Sequence, residues 1–227
     1  SNIGAIKIAQ QVGRKPFYEY IRKFGFGEKS GLSLPGESAG QLKDQKNWNA
    51  LSLASISFGQ EIAVTPLQMV SALAAIANGG NLMAPHITRA LVKNGKVMEQ
   101  FRPEKIRRVI SEKTSRQLVE VLKSVVKTGT GKKAALEGFD VAGKTGTAQK
   151  YNMETRSYSK TEFISSFIGF APADSPRLLI LVMIDNPQGS HWGSVVAAPV
   201  FRQIAKKTLR YLNVPSSKER VFILDRA

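Results

Sequence analysis

The tetrapeptide Lys-Thr-Gly-Thr occurs twice in this chain, at residues 127–130 and again at residues 144–147. A cation, two hydroxyls and a glycine in this order can hold a carboxylate. The hydroxyls donate hydrogen bonds, the cation strengthens them, and the glycine lets another backbone approach closely. The same residues can equally end a helix. The first copy closes a segment that Ser111 can cap and in which Leu118, Val121, Leu122, Val125 and Val126 form a helical apolar stripe. Lys127 then sits where a cation favours the C-terminal dipole, and Gly129 can take the left-handed conformation that ends a helix. The first copy therefore reads as a helix terminus and loop. The second follows Phe139-Asp140-Val141-Ala142-Gly143, which reads as a strand entered from a turn at Gly138. Alternation along that strand sends Lys144 and Gly146 one way and Thr145 and Thr147 the other. Two hydroxyls on one face make a docking edge for a carboxylate or an acyl group. On these four residues alone, an exposed edge strand with a solvated lysine explains the sequence as well.

The elements that must position this edge follow from periodicity and punctuation. Asn2 can cap a first helix with Ile3, Ile6, Ala9 and Val12 on one face, ending at Gly13. A second helix has Pro16 in its first turn, buries Phe17, Tyr20, Ile21 and Phe24, and stops at Gly25. Residues 25–48 read as a loop. Thr65-Pro66-Leu67-Gln68 is a helix start with a cap, a proline in the first position and a capping-box glutamine. Residues 86–101 read as two short strands around Asn94-Gly95. Residues 163–170 and 178–184 read as further strands. Residues 199–212 read as a closing helix with Val200, Phe201, Ile204, Ala205 and Leu209 inward. The fold class is α+β, an antiparallel sheet packed against helices. It divides into a mainly helical segment, 1–80, and a remainder, 81–227, of hairpin, helix, sheet strands and C-terminal helix.

Composition sets outer bounds. Of 227 residues, 42% are apolar and 22% charged, which excludes wholesale disorder. The absence of cysteine excludes disulfides, thiolate catalysis and cysteine metal sites. No apolar run approaches the roughly 20 residues needed to span a bilayer. The formal charge of +16 suits an anionic neighbour. Its bases are dispersed in isolated pairs, however, without the aromatic interleaving of a nucleic-acid surface, so solvated surface charge is the better reading. The chain opens at Ser1-Asn2-Ile3 without a methionine, which leads us to expect a fragment.

Ser-x-x-Lys, Ser-x-Asn and Lys-Thr-Gly together mark penicillin-binding proteins and serine β-lactamases. Along almost its whole length the chain resembles the C-terminal part of a class B penicillin-binding protein transpeptidase domain. Ala142-Gly143-Lys144-Thr145-Gly146-Thr147-Ala148-Gln149 matches the third motif with its flanks. Leu34-Pro35-Gly36-Glu37, Ser57-Phe58-Gly59-Gln60 with Thr65-Pro66-Leu67-Gln68, Phe167-Ile168-Gly169-Phe170-Ala171-Pro172 and Ala197-Ala198-Pro199-Val200-Phe201 match others in the family's order. Ser1-Asn2 resembles the end of Ser-x-Asn, with Asn2 as its asparagine. The flanks resemble the division-associated (septal) branch more than the elongation branch.

The resemblance implies a serine acyl-enzyme that cross-links D-Ala-D-Ala stem peptides of peptidoglycan and is trapped by β-lactams. It implies Asn2, Lys144 and Thr147 in catalysis, and Thr145, Gly146 and Thr147 in substrate binding. No cofactor or metal is implied. Also implied are a membrane anchor outside this sequence, an extracytoplasmic location and division proteins as partners, with no nucleic acid. Two strings fit Ser-x-x-Lys, at 124–127 and 157–160. Both follow the Ser-x-Asn remnant, whereas the family's nucleophile precedes it. Ser124 lies at a helix end and Ser157 in a polar connection between strands. The nucleophile is therefore expected outside this chain, and the chain alone is expected to be inactive. His86 and His191 have no triad or ligand partner in sequence. A β-lactamase or β-lactam sensor of the same fold, and a non-catalytic scaffold module of the division machinery, are the alternative readings.

Overall fold

A computed structural model describes residues 1–32 and 34–216. The chain divides into two compact units, Ser1–Ser111 and Glu112–Ala227.

The first unit opens with α1 (Asn2–Val12), whose cap is Ser1 and not Asn2: the Ser1 hydroxyl accepts from the Gly4 N–H at 3.4 Å. Asn2 is the first residue inside the helix, because the cap is the residue whose oxygen reaches the amide three positions on. Helix α2 (Arg14–Lys23) has no fully buried residue. Tyr20 is exposed, and Phe17, Ile21 and Phe24 are half-buried, contrary to the buried stripe expected. The loop expected at 25–48 contains β1 (Gln41–Leu42) and a single 3₁₀ turn (Gln45–Asn47); β1 pairs antiparallel with β2 (Ile62–Ala63). Between β1 and β2 lies α3 (Ser52–Ser57), too short to announce itself by periodicity.

Helix α4 (Pro66–Ala77) has the anticipated capping box. The Gln68 N–H donates to Thr65 Oγ1 at 3.1 Å, and the Thr65 N–H donates to Gln68 Oε1 at 2.9 Å. The buried Gln68 amide also donates to the carbonyls of Glu28 (2.8 Å) and Ala39 (2.9 Å), fixing the long loop. The hairpin expected around Asn94-Gly95 is present as β4 (Ala90–Lys93) and β5 (Lys96–Gln100), with φ of 50° and 74° at the two turn residues. Strand β3 (Asn81–Met83) pairs with β6 (Lys105–Arg108).

The second unit is an antiparallel sheet with helices, as the α+β reading requires. It comprises α5 (Glu112–Lys127), β7 (Ala142–Asn152), β8 (Ser157–Ala171), β9 (Leu178–Asp185), the short α6 (Gly193–Val196) and α7 (Ala198–Tyr211), with strands in the order β7-β8-β9. Phe167 of β8 and Phe201 of α7 meet at 4.7 Å between ring centroids, among Val126, Val141, Val182 and Leu209. Helix α7 buries Ala198, Phe201, Ala205 and Leu209, and Val200 and Ile204 face outward. The true stripe is narrower than expected, because alanines occupy the positions closest to the core. In α5, Val126 and Lys123 are buried and Val121 is exposed. The expected strand at 139–141 is reduced to one bridge between Phe139 and Leu136, and the ladder begins at Ala142. Ser157 lies inside β8 and not in a connection.

A charged cluster ties the end of α5 to the approach of β7. The Lys123 ammonium lies 3.0 Å from Glu120, 3.1 Å from Asp174 and 3.2 Å from Asp140, and Lys127 lies 3.1 Å from Asp140. Burial works against the Lys123 charge, but hydrogen bonds to Glu120, Asp174 and Asp140 outweigh it and raise the pKa above the ordinary lysine value. Burial would likewise raise Asp140, yet the hydrogen bonds from Lys127 and Lys123 hold it below its ordinary value. Lys123→Met leaves three carboxylates without their shared cation, two of them well exposed and able to turn to water. It should lower stability by about 2 kcal/mol, read as a lower urea midpoint. Asp140's contribution is complete above its unfolded pKa and is lost as pH falls through its depressed folded value. Lys123's is complete below the unfolded lysine pKa and is lost only in strong alkali. The difference between wild type and Lys123→Met should therefore persist from about pH 5 to about pH 10 and narrow in acid.

Candidate active site

Strand β7 lies at the edge of its sheet, and its register against β8 sorts the second Lys-Thr-Gly-Thr. Thr145 is paired with Phe167 and Thr147 with Ser165, while Lys144 is paired with Ile168 and Gly146 with Ser166. Opposed residues of neighbouring strands share a face, so the two threonines stand on one side and Lys144 on the other, as the alternation predicts. The lysine chain curls back over the strand. Its Nζ donates to the Thr145 carbonyl at 2.8 Å and reaches Thr145 Oγ1 at 3.4 Å. Lys144 retains exposed surface along its length, but burial of its ammonium lowers the pKa from the ordinary lysine value.

Thr147 is held from the other side. Its Oγ1 accepts from the Gly193 N–H at 3.2 Å, at the start of α6. The approach to α6 is itself fixed, since the Ser165 hydroxyl donates to the His191 carbonyl and the His191 ring stacks on Phe163 at 4.2 Å. His191 thus has a packing role. Gly193 permits this closeness: a Cβ there would lie 2.3 Å from the Ser166 carbonyl oxygen and 2.4 Å from that of Gly146.

The first copy is a helix end through Gly129. The Thr128 and Gly129 amides donate to the Ser124 carbonyl at 2.9 and 3.1 Å, and Lys127 is paired with Asp140. Thr130 brings a contact that the sequence does not announce, its Oγ1 lying 2.9 Å from Thr145 Oγ1. The two copies of the motif therefore touch. No local spacing signals this, because the partners are joined only through the fold of the unit. Ser124 donates to the Val121 carbonyl at 2.6 Å, and Ser157 Oγ lies 2.9 Å from Thr155 Oγ1. Asn2 occupies the first turn of α1, in the first unit.

Comparison with known proteins identifies the family. The family model of the penicillin binding protein transpeptidase domain matches residues 1–206. Stage V sporulation protein D of Bacillus subtilis is 40% identical over 97% of this chain and 34% of its own length. PbpB of Mycolicibacterium smegmatis is 42% identical over 96% of this chain and 35% of its own. Penicillin binding protein 3 of Mycobacterium tuberculosis, solved in complex with aztreonam, superposes with a TM-score of 0.88 at 38% identity. That alignment covers 95% of this chain and 50% of the solved one. The chain belongs to the penicillin-binding protein transpeptidase family, and it spans about a third of the length of the curated relatives it matches.

The tight fit of α6 against β7 is open to test. Gly193→Ala forces backbone apart on both strands and should cost about 1–3 kcal/mol, seen as a lower thermal midpoint. Val195→Ala, at an exposed position two residues on, should change it by less than about 0.5 kcal/mol.

Proposed function

We propose that this chain forms the substrate-carboxylate side of a peptidoglycan D,D-transpeptidase of the division-associated, class B kind. One observation carries the reading: in a chain of this family, Thr145 and Thr147 share one face of an edge strand and the Lys144 ammonium curls back to Thr145 Oγ1. A stem peptide ends in a D-alanine carboxylate, an acceptor-only anion. Hydroxyl donors beside a cation are the groups that bind it with charge-assisted hydrogen bonds. Chains solved with aztreonam and with ampicillin support the same reading for β-lactams, whose carboxylate or sulfonate imitates the peptide terminus.

In the reaction proposed, a serine oxygen attacks the carbonyl of the penultimate D-alanine. The bond to the terminal D-alanine breaks, and that residue leaves as an amine carrying the proton. An amine of a neighbouring strand then attacks the ester, forming the cross-link and freeing the serine. The Thr147 N–H would serve as one oxyanion donor, and a missing donor of this kind costs roughly 3 kcal/mol. Gly146, whose Cβ position lies 2.4 Å from Ser166 Oγ, would offer the substrate its backbone, and Asn2 would hold the substrate's amide. The whole protein would be anchored in the cell membrane with this part outside, working with division proteins. Among the described residues, no helix is long and apolar enough to cross a membrane.

The serine of this proposal lies outside residues 1–227. Lys127 is engaged with Asp140, so Ser124 has no base in its own string, and Ser157 faces a threonine hydroxyl. An unactivated serine is a poor nucleophile near neutral pH. Intact-protein mass spectrometry after incubation with a labelled penicillin should show no adduct on the 227-residue chain and one per molecule on the full-length protein. An adduct mapped to Ser124 or Ser157 overturns the assignment. In the full-length protein, Lys144→Ala should slow acylation roughly 10- to 100-fold. Lys127→Ala, at the helix end, should stay within about twofold, and an equal loss in both would reverse the roles of the two copies.

A further inference from the structure

A threonine hydroxyl has one proton to donate and two lone pairs that accept. A carboxylate only accepts, so a threonine serves it only if its proton is not engaged elsewhere. At Thr147 the matter is decided by chemistry: the Gly193 N–H can only donate, so Thr147 Oγ1 accepts there and its proton is left over. At Thr145 two neighbours approach the same oxygen. The Lys144 ammonium, at 3.4 Å, has no lone pair and can only donate. Thr130 Oγ1, at 2.9 Å, could stand at either end of its hydrogen bond. If Thr145 gave its proton to Thr130, none would remain for a ligand. If Thr130 donates, both Thr145 lone pairs are occupied and the Thr145 proton must point elsewhere.

We propose that Thr130 is a positioning residue that donates to Thr145 and so makes the Thr145 hydroxyl a donor toward the substrate carboxylate. This rests on reading residues 144–147 as the carboxylate edge. Thr130 is well placed for the task because its loop is packed down. The Gly131 N–H donates to the Val125 carbonyl at 2.9 Å. A Cβ on Gly131 would lie 3.2 Å from that carbonyl oxygen and 3.3 Å from the ring of Phe167, the register partner of Thr145. The loop and the strand residue it serves are thus braced on one aromatic ring. The first Lys-Thr-Gly-Thr acts through the second and has no ligand of its own.

The test uses the full-length protein with Thr130→Val, Thr130→Ser and Thr145→Val. Acylation is measured with a penicillin and with its methyl ester, which lacks the anion. Thr130→Val should lose about 5- to 20-fold with the carboxylate, the size of a weakened hydrogen bond to a charged group. The loss should lie in the binding constant and not in the acylation step, and the preference for carboxylate over ester should shrink by the same factor. Thr130→Ser, which keeps the hydroxyl, should recover to within about threefold of wild type. Equal loss on both ligands, or no recovery with serine, makes Thr130 a structural residue only and overturns the proposal. If Thr145→Val loses carboxylate preference and Thr130→Val does not, the positioning role alone fails. If Thr145→Val keeps full preference, the carboxylate edge itself is misread.

Discussion

Side chains on a strand alternate between faces, so the pairing of β7 with β8 decides what the Lys-Thr-Gly-Thr edge can do. With Thr145 opposite Phe167 and Thr147 opposite Ser165, both hydroxyls fall on one side of the sheet. A slip of one residue would send both threonines to the other face and bring Lys144 and Gly146 round in their place. Nothing in four residues could enforce that choice. It is enforced by Phe167, fully buried against Phe201, and by Ser165, fully buried with its hydroxyl on the His191 carbonyl. The chemistry of the edge is therefore set by the inner strand beside it.

A second constraint acts along the chain. Asp140 lies two residues before the ladder and is gripped by Lys123 and Lys127 of α5, while its carbonyl accepts from the Ala173 N–H at 2.8 Å beyond β8. The point where the chain turns into β7 is thus held to the helix by charge and to the end of β8 by backbone. Lys123 is buried among carboxylates that reach solvent, an arrangement that keeps the ammonium charged without desolvating all its partners.

How much of this was legible beforehand varies with the range of the interaction. Signals carried by adjacent residues were readable: the Thr65–Gln68 capping box, the Asn94-Gly95 turn, the helix ending at Lys127, and the alternation of residues 144–147. The order of helices and strands brought in the α+β class, and motifs in order brought in the family. Burial was read less well, because periodicity finds an apolar stripe without saying what covers it. Tyr20, Val121, Val200 and Ile204 all fit a stripe and are exposed. Contacts between distant segments left no trace. The Gly193 N–H on Thr147 spans 46 positions, and Thr130 with Thr145 spans 15. The cap of α1 failed for a local reason, since Ser1 and Asn2 are both good caps and geometry alone chooses between them.

Gln68 shows how a local signal can have distant reach. Its backbone and side-chain oxygen complete the start of α4, and the same amide group reaches across to Glu28 and Ala39. These carbonyls lie 40 and 29 positions away, within the stretch that otherwise has little regular structure to hold it. One planar group therefore joins helix initiation to loop closure. The amide can satisfy the loop carbonyls only once the first turn of α4 has fixed its rotamer, and ordering so long a loop is costly in entropy until that happens. The shared amide couples the loop to the helix start, so opening of one should weaken the other.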